Sequence, residues 1–144
     1  MDNTNSHLSL KLVDISDHDF LFKLYNLSDK RENRPSITKE SNKKFVNDFV
    51  ENKKNHIFDS WYIIKFDQNN IGSVTLRKDT NDCGYWIVPE FQNKGIGTNA
   101  IQQFMDINKK SYYTIRTHID NKRSQRITEK LKFTLSHYEY RLEL

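Results

Sequence analysis

A mixed α/β domain, in which an antiparallel meander gives way to βαβ units, is the fold class this sequence predicts. Three observations predict it. Runs rich in aromatic and β-branched residues at 57–66, 70–78 and 83–88 are joined by short polar turns, as in a meander. Two segments with helical apolar spacing precede those runs. After them, helical and strand-like segments alternate, giving the order β-α-α-β-β-β-α-β-α-β.

Each element has its own signal. LSLKLV (8–13) alternates as a first strand. In 17–27, Phe20, Leu24 and Leu27 recur at helical spacing. The polar stretch 28–36 reads as a loop. A second helix follows from about Ser36, with Ser36 or Thr38 as N-cap and Phe45, Val46, Phe49 and Val50 on the inward stripe. IFDSWYIIKF, NIGSVTLRK and CGYWIV form the meander, turning at 67–70 and 78–82. A third helix over 98–110 faces Ile101, Phe104, Met105 and, more loosely, Ile107 inward. YYTIRTHI (112–119) reads as a fifth strand, and 121–133 as a short helix with Ile127 and Leu131 inward. TLSHYEYRLEL (134–144) reads as a terminal strand or a cramped strand pair.

The chain has 144 residues, and a single domain over 1–144 is expected. A domain of this size buries roughly 68–70% of its unfolded surface, enough for one core without covalent staples. The 23 basic residues exceed the 19 acidic ones by four and are spread along the chain, with pI about 9.1. That balance suits an anionic ligand and is weak support for nucleic acid. The only cysteine, Cys83, has no partner for an intrachain disulfide or a CxxC zinc motif. The first residues lack a signal-peptide pattern, and no apolar run approaches the ~20 residues of a membrane span. A cytoplasmic protein without bound metal or membrane partner is expected.

The stretch PEFQNKGIGTNA (89–100) holds two of the chain's four glycines at the mouth of a helix. Simple helix punctuation is one reading, since glycine tolerates positive φ. A dinucleotide fingerprint is another, because 95–100 reads G-x-G-x-x-A. It fits poorly: six residues separate the preceding strand from Gly95, three antiparallel strands come first, and only 24 residues follow Asp120. No G-x-x-x-x-G-K-[ST] exists for a P-loop. The third reading is an arch of backbone N–H groups over about 93–98 that closes on a helix N-terminus. Its unsatisfied donors and partial positive charge would seat a diphosphate. Gly95 and Gly97 would keep β-carbons away from the phosphates, Gln92 would brace the arch, and Lys94 would add charge at its rim.

Gln92-Asn93-Lys94-Gly95-Ile96-Gly97 resembles the Q/R-x-x-G-x-G/A signature of the GCN5-related N-acetyltransferases (GNAT). CGYWIVPEFQNKGIGTNAI and NKRSQRITEKLKF resemble two segments of the ribosomal-protein-acetyltransferase-like branch. The second departs from its N-x-x-S-x-x-(V/I)-x-E-K-L-G-F pattern by carrying Lys132 in place of the glycine. The resemblance implies a single-domain GNAT fold: a mixed sheet of six to seven strands, splayed between strands four and five, with about four helices. It implies acetyl-CoA as co-substrate and no metal. The cofactor residues it implies are Ile87, Val88, Gln92, Asn93, Lys94, Gly95, Ile96, Gly97, Thr98, Asn121 and Ser124.

The implied reaction is direct acetyl transfer to a primary amine. A lysine-like amine is neutral about once in a few thousand molecules at pH 7, a handicap of ~4–5 kcal/mol that a base relieves. Asp82 matches a strand-four position where relatives often carry Glu, and Glu139 resembles a terminal-strand base. His137 is a third candidate on chemistry alone. A strand-four N–H near Val88 would stabilise the oxyanion. Many relatives protonate the thiolate with a helix tyrosine, but Thr128 stands there; Ser124 of N-x-x-S is the candidate instead. Cys83 shows no activating neighbour and reads as filler.

On the acceptor side, Arg31 and Arg34 would hold a phosphate, as on a nucleotide-linked amino sugar, with Tyr85 as a further substrate contact. Ile37-x-x-Glu40 resembles acetyltransferases of such sugars; other relatives modify protein N-termini and polyamines. A homodimer is a further expectation. A basic nucleic-acid-binding module competes as a different class, but no RNP-like or helix-turn-helix pattern is present. A non-catalytic acetyl-CoA-binding domain also competes, on the strength of Thr128 and Lys132.

Overall fold

The structure, a computed structural model, describes residues 7–27 and 36–144. Four strands form one antiparallel sheet in chain order: β1 Leu8–Leu12, β2 Phe58–Phe66, β3 Asn69–Arg77 and β4 Cys83–Ile87. Leu8 pairs with Phe66, Tyr62 with Val74, and Val74 with Tyr85. The β2–β3 turn places Asp67 and Gln68 both at positive φ, the two-residue form whose twist matches a hairpin.

The alternation of side chains across the strands divides the core. One sheet face carries Ile64, Val74 and Cys83 against α3 (Ile96–Ile107), whose Ile96, Ala100, Ile101 and Phe104 are buried. The other carries Trp61 and Ile63 against Leu21 of α1 (His18–Asn26) and Val46 and Phe49 of α2 (Lys39–Glu51). Each fully buried Ile or Phe contributes roughly 1.5–3 kcal/mol. Thr38 caps α2 in a reciprocal box with Ser41. The inward stripe of α2 is rotated from the expectation. Phe45 and Val50 are more than a third exposed, while Asn42 is buried and donates to the His18 carbonyl at 2.9 Å. Leu27 and Ile107, at their helix ends, are exposed as well.

Six to seven strands are expected and four are present among the described residues. The segment 112–119 touches the sheet through a single parallel bridge, Asp82 to Thr114. There Cys83 N–H donates to the Thr114 carbonyl at 2.7 Å, and Thr114 N–H to that of Asn81 at 3.0 Å. Beyond that point the chain leaves β4, and the carbonyls of His118 and Ile119 accept from the Gln125 side chain instead. The terminal segment has no strand either; Leu135, Tyr138, Tyr140 and Leu142 stay exposed, so no apolar face fixes a register.

The last helix, α4 (Lys122–Lys130), explains the departure at Lys132. Lys132 N–H bonds the Glu129 carbonyl and Phe133 N–H that of Thr128, a Schellman ending, and Lys132 takes φ +65°. This is the left-handed position that favours glycine. Lys132→Gly is therefore expected to stabilise the protein by roughly 0.5–1 kcal/mol, read as a higher urea midpoint at unchanged slope.

Candidate active site

The loop after β4 begins with a short 3-10 turn, Pro89–Phe91. The Gln92 side-chain amide then reaches back to the Ile87 carbonyl at 2.8 Å, closing the arch. Asn93 and Gly95 both take positive φ, 62° and 76°, which turns the backbone sharply into α3. No side chain caps α3; its first intrahelical bond is Asn99 N–H to the Gly95 carbonyl at 3.2 Å. The first-turn N–H groups thus present their positive end without a side-chain cap among the described residues.

The two glycines have different tasks. Gly95 supplies the left-handed turn, and a β-carbon there would meet nothing within 4 Å. Gly97 permits close approach: its β-carbon would lie 3.0 Å from Ile127 Cδ1 and 3.3 Å from Ile87 Cδ1. Helix α3 therefore seats tightly against β4 and α4. Ile96 is buried in the core. Lys94 lies over the Phe91 ring, 5.6 Å from its centroid.

A cleft of about 2210 Å³ opens where β4 and 113–119 diverge, and Gly95, Gly97 and Thr98 line it. Asn121 caps α4 by accepting from Ser124 N–H at 3.1 Å. Ser124, 7% exposed, hydrogen-bonds the Tyr85 hydroxyl of β4 through its Oγ. Tyr85, taken from the sequence as an acceptor contact, thus faces Ser124. Thr128 is tied to the Gln125 carbonyl at 2.7 Å. Arg126, which no motif signals, reaches Asn93 Oδ1 at 3.4 Å and brings a guanidinium beside the arch.

Of the strand-four N–H groups near Val88, that of Val88 itself is engaged. Val88 N–H is taken by the Ile71 carbonyl at 2.8 Å on the β3 side. Because N–H directions alternate along a strand, Ile87 N–H faces the same side as that of Cys83, toward the divergence.

Asp82 sits at the closed end of the cleft and accepts from the Thr114 hydroxyl at 3.0 Å. Burial raises its pKa, with the Thr114 bond and the charges of Arg116 and Arg77 opposing. Glu139 and His137 line the wide cleft but are exposed, on a segment without regular structure. Cys83 is buried, and burial pushes its thiol up to about 12, which leaves it inert as a nucleophile. Arg31 and Arg34 lie outside the described residues. Among the described residues no cluster of three potential metal ligands occurs, and no helix is long and apolar enough to cross a membrane.

The arch, the uncapped helix and the diverging strands fit a diphosphate-bearing thioester, and comparison with known proteins agrees. Residues 7–134 match the family described as the acetyltransferase (GNAT) domain. No curated protein matches the chain. Among solved structures, the Salmonella typhimurium acetyltransferase that modifies the N-terminal serine of a 50S ribosomal subunit protein superposes with TM-score 0.71. It is 19% identical, over 92% of this chain and 83% of that one. The spermidine N-acetyltransferase of Vibrio cholerae gives 0.74 at 20% identity, over 92% and 82%. The microcin C7 self-immunity acetyltransferase, in complex with acetyl-CoA and AMP, gives 0.72 at 23%, over 93% and 82%. These likenesses speak to fold, and the match to the family over most of the chain settles membership. The chain belongs to the GNAT acetyltransferase family and is an acetyl-CoA-dependent N-acetyltransferase.

Proposed function

We propose that the whole chain, acting as one domain, moves the acetyl group in a single step from acetyl-CoA to the primary amine of a small molecule. Nucleotide-linked amino sugars are one such class. The observation that carries this reading is the uncapped N-terminus of α3, entered through a left-handed arch beside the divergence of β4. In this reading the diphosphate sits on the N–H groups of 95–98, with Gln92, Asn93 and Lys94 shaping the arch and Arg126 adding charge. The Ile87 edge of β4 holds the pantetheine arm.

The amine nitrogen attacks the thioester carbon, the C–N bond forms, the C–S bond breaks, and the displaced amine proton goes to a base. Asp82 is the base, reached directly or through water, because burial moves its pKa toward the working range. The Ile87 N–H faces the developing oxyanion. Ser124 protonates the departing thiolate, with the Tyr85 hydroxyl behind it as relay. Asn121 fixes Ser124 by capping the helix that carries it.

Direct transfer is supported by the inert state of Cys83, the only thiol. Initial rates of thiol release, with both substrates varied, are expected to give intersecting reciprocal plots, as a ternary complex requires. Parallel lines would instead indicate an acetyl-enzyme and overturn the single-step scheme.

A further inference from the structure

On the sheet face opposite α3 lies a second cavity, of about 370 Å³, between the sheet and helices α1 and α2. Tyr25, Phe45, Phe58, Trp61 and Trp86 stand in its wall over the small floor residue Ser73. Both tryptophans of the chain are among them. Among the described residues, no acidic, basic or histidine side chain contributes to the wall. The polar groups that do are largely engaged: Asn42 donates to the His18 carbonyl and Ser41 serves the α2 capping box. One donor stands apart, since the buried Trp61 indole N–H has no hydrogen-bond partner among the described residues.

This cavity adjoins the cofactor cleft. Leu24, Tyr25, Phe58 and Trp86 border both spaces. Neighbouring residues of β4 serve the two sides: Tyr85 meets Ser124, and Trp86 walls the cavity. A ring lodged there would stand against residues that also line the cleft. A phosphate or a second ammonium would find no counter-ion among the described residues of the wall and lose its hydration without compensation from them. An aromatic ring would meet aromatic faces and edges.

We propose that the acceptor is a monoamine carrying an aromatic ring on a short chain, with the ring in this cavity and the amine directed into the cleft. This inference rests on the acetyltransferase reading above and, within its small-molecule primary amines, sets an aryl amine in place of the nucleotide-linked amino sugar. The amine becomes the acetamide, coenzyme A leaves as the thiol, and the displaced proton passes to the base.

The test uses the full chain with acetyl-CoA and four acceptors: 2-phenylethylamine, tryptamine, spermidine and a uridine-diphosphate-linked amino sugar. Thiol release gives kcat/KM, and calorimetry gives acetyl-CoA affinity. Both aryl amines are expected to exceed the other two by at least about 10-fold in kcat/KM, the discrimination apolar contacts provide. Saturating 2-phenylethylamine should also change the tryptophan emission, since both tryptophans line the cavity. Phe45→Glu places a carboxylate at the rim, where Phe45 is 39% exposed. It should lower aryl-amine turnover, raise that of spermidine, and leave acetyl-CoA affinity within about 3-fold. Spermidine or the amino sugar preferred by the wild type, or an emission unmoved by 2-phenylethylamine, overturns the inference while the acetyltransferase stands. A wild type that fails to bind acetyl-CoA overturns the cofactor reading first, and this inference with it.

Discussion

Gly97→Glu is expected to weaken acetyl-CoA binding at least about 100-fold, a loss of roughly 2.7 kcal/mol. The new carboxylate would stand in the first turn of α3, where the diphosphate is proposed to meet backbone N–H groups, and like charges brought together there oppose binding. Ile127 and Ile87 crowd the position from the inside, at 3.0 and 3.3 Å, so the longer side chain is driven toward the groove. Gly97→Ala separates charge from bulk. Its methyl asks the ends of two flexible isoleucines to yield by a few tenths of an ångström, and binding should survive within about 5-fold. Calorimetric titration of both variants, with urea denaturation to confirm folding, decides the matter. Wild-type affinity in folded Gly97→Glu would place the cofactor elsewhere.

The second large effect concerns the Ser124–Tyr85 pair. Ser124→Ala is expected to lower kcat about 10²–10³-fold with little change in the KM for acetyl-CoA, as general-acid catalysis is worth that order. Tyr85→Phe should lower it by less, because Ser124 remains. The double variant should be little slower than Ser124→Ala alone, since the two hydroxyls act as one relay through the bond between them. The alkaline limb of the kcat–pH profile should move in both single variants. Additive losses with an unmoved profile would reduce the pair to packing. Rising KM at constant kcat would make Ser124 a pantetheine contact only.

Much of this protein is legible from short stretches of chain. The apolar period of 3.6 or 2 set the type of eight of the ten expected elements, wherever a segment had a face to bury, as in 98–107 and 58–66. Cap chemistry is equally local: Thr38 meets Ser41, and Asn121 meets Ser124, three residues away in each case. The arch could be read from Gln92 to Thr98 because glycine, amide and helix start lie side by side. Lys132 in a glycine position is visible in sequence, and its φ of +65° shows the site still demands the left-handed turn.

What lies far apart in the chain was decided by the tertiary structure. The α2 stripe turned so that Asn42 rather than Phe45 is buried, because its partner is the His18 carbonyl of another helix. Strand five shrank to a bridge at Thr114, since a strand needs a neighbour in register and none follows β4 there. Val88 N–H is engaged by Ile71 on β3, which leaves Ile87 as the neighbouring β4 donor facing the divergence. Tyr85 joined Ser124 across 39 residues, and Trp61 and Trp86 came together over Ser73 from separate strands. The sequence by itself determined most element types, the caps and the glycine arch, all of which act within a few residues. Only the packed sheet decided which donors remain available and which rings share a cavity, because pairing register and helix rotation are set by partners distant in the chain.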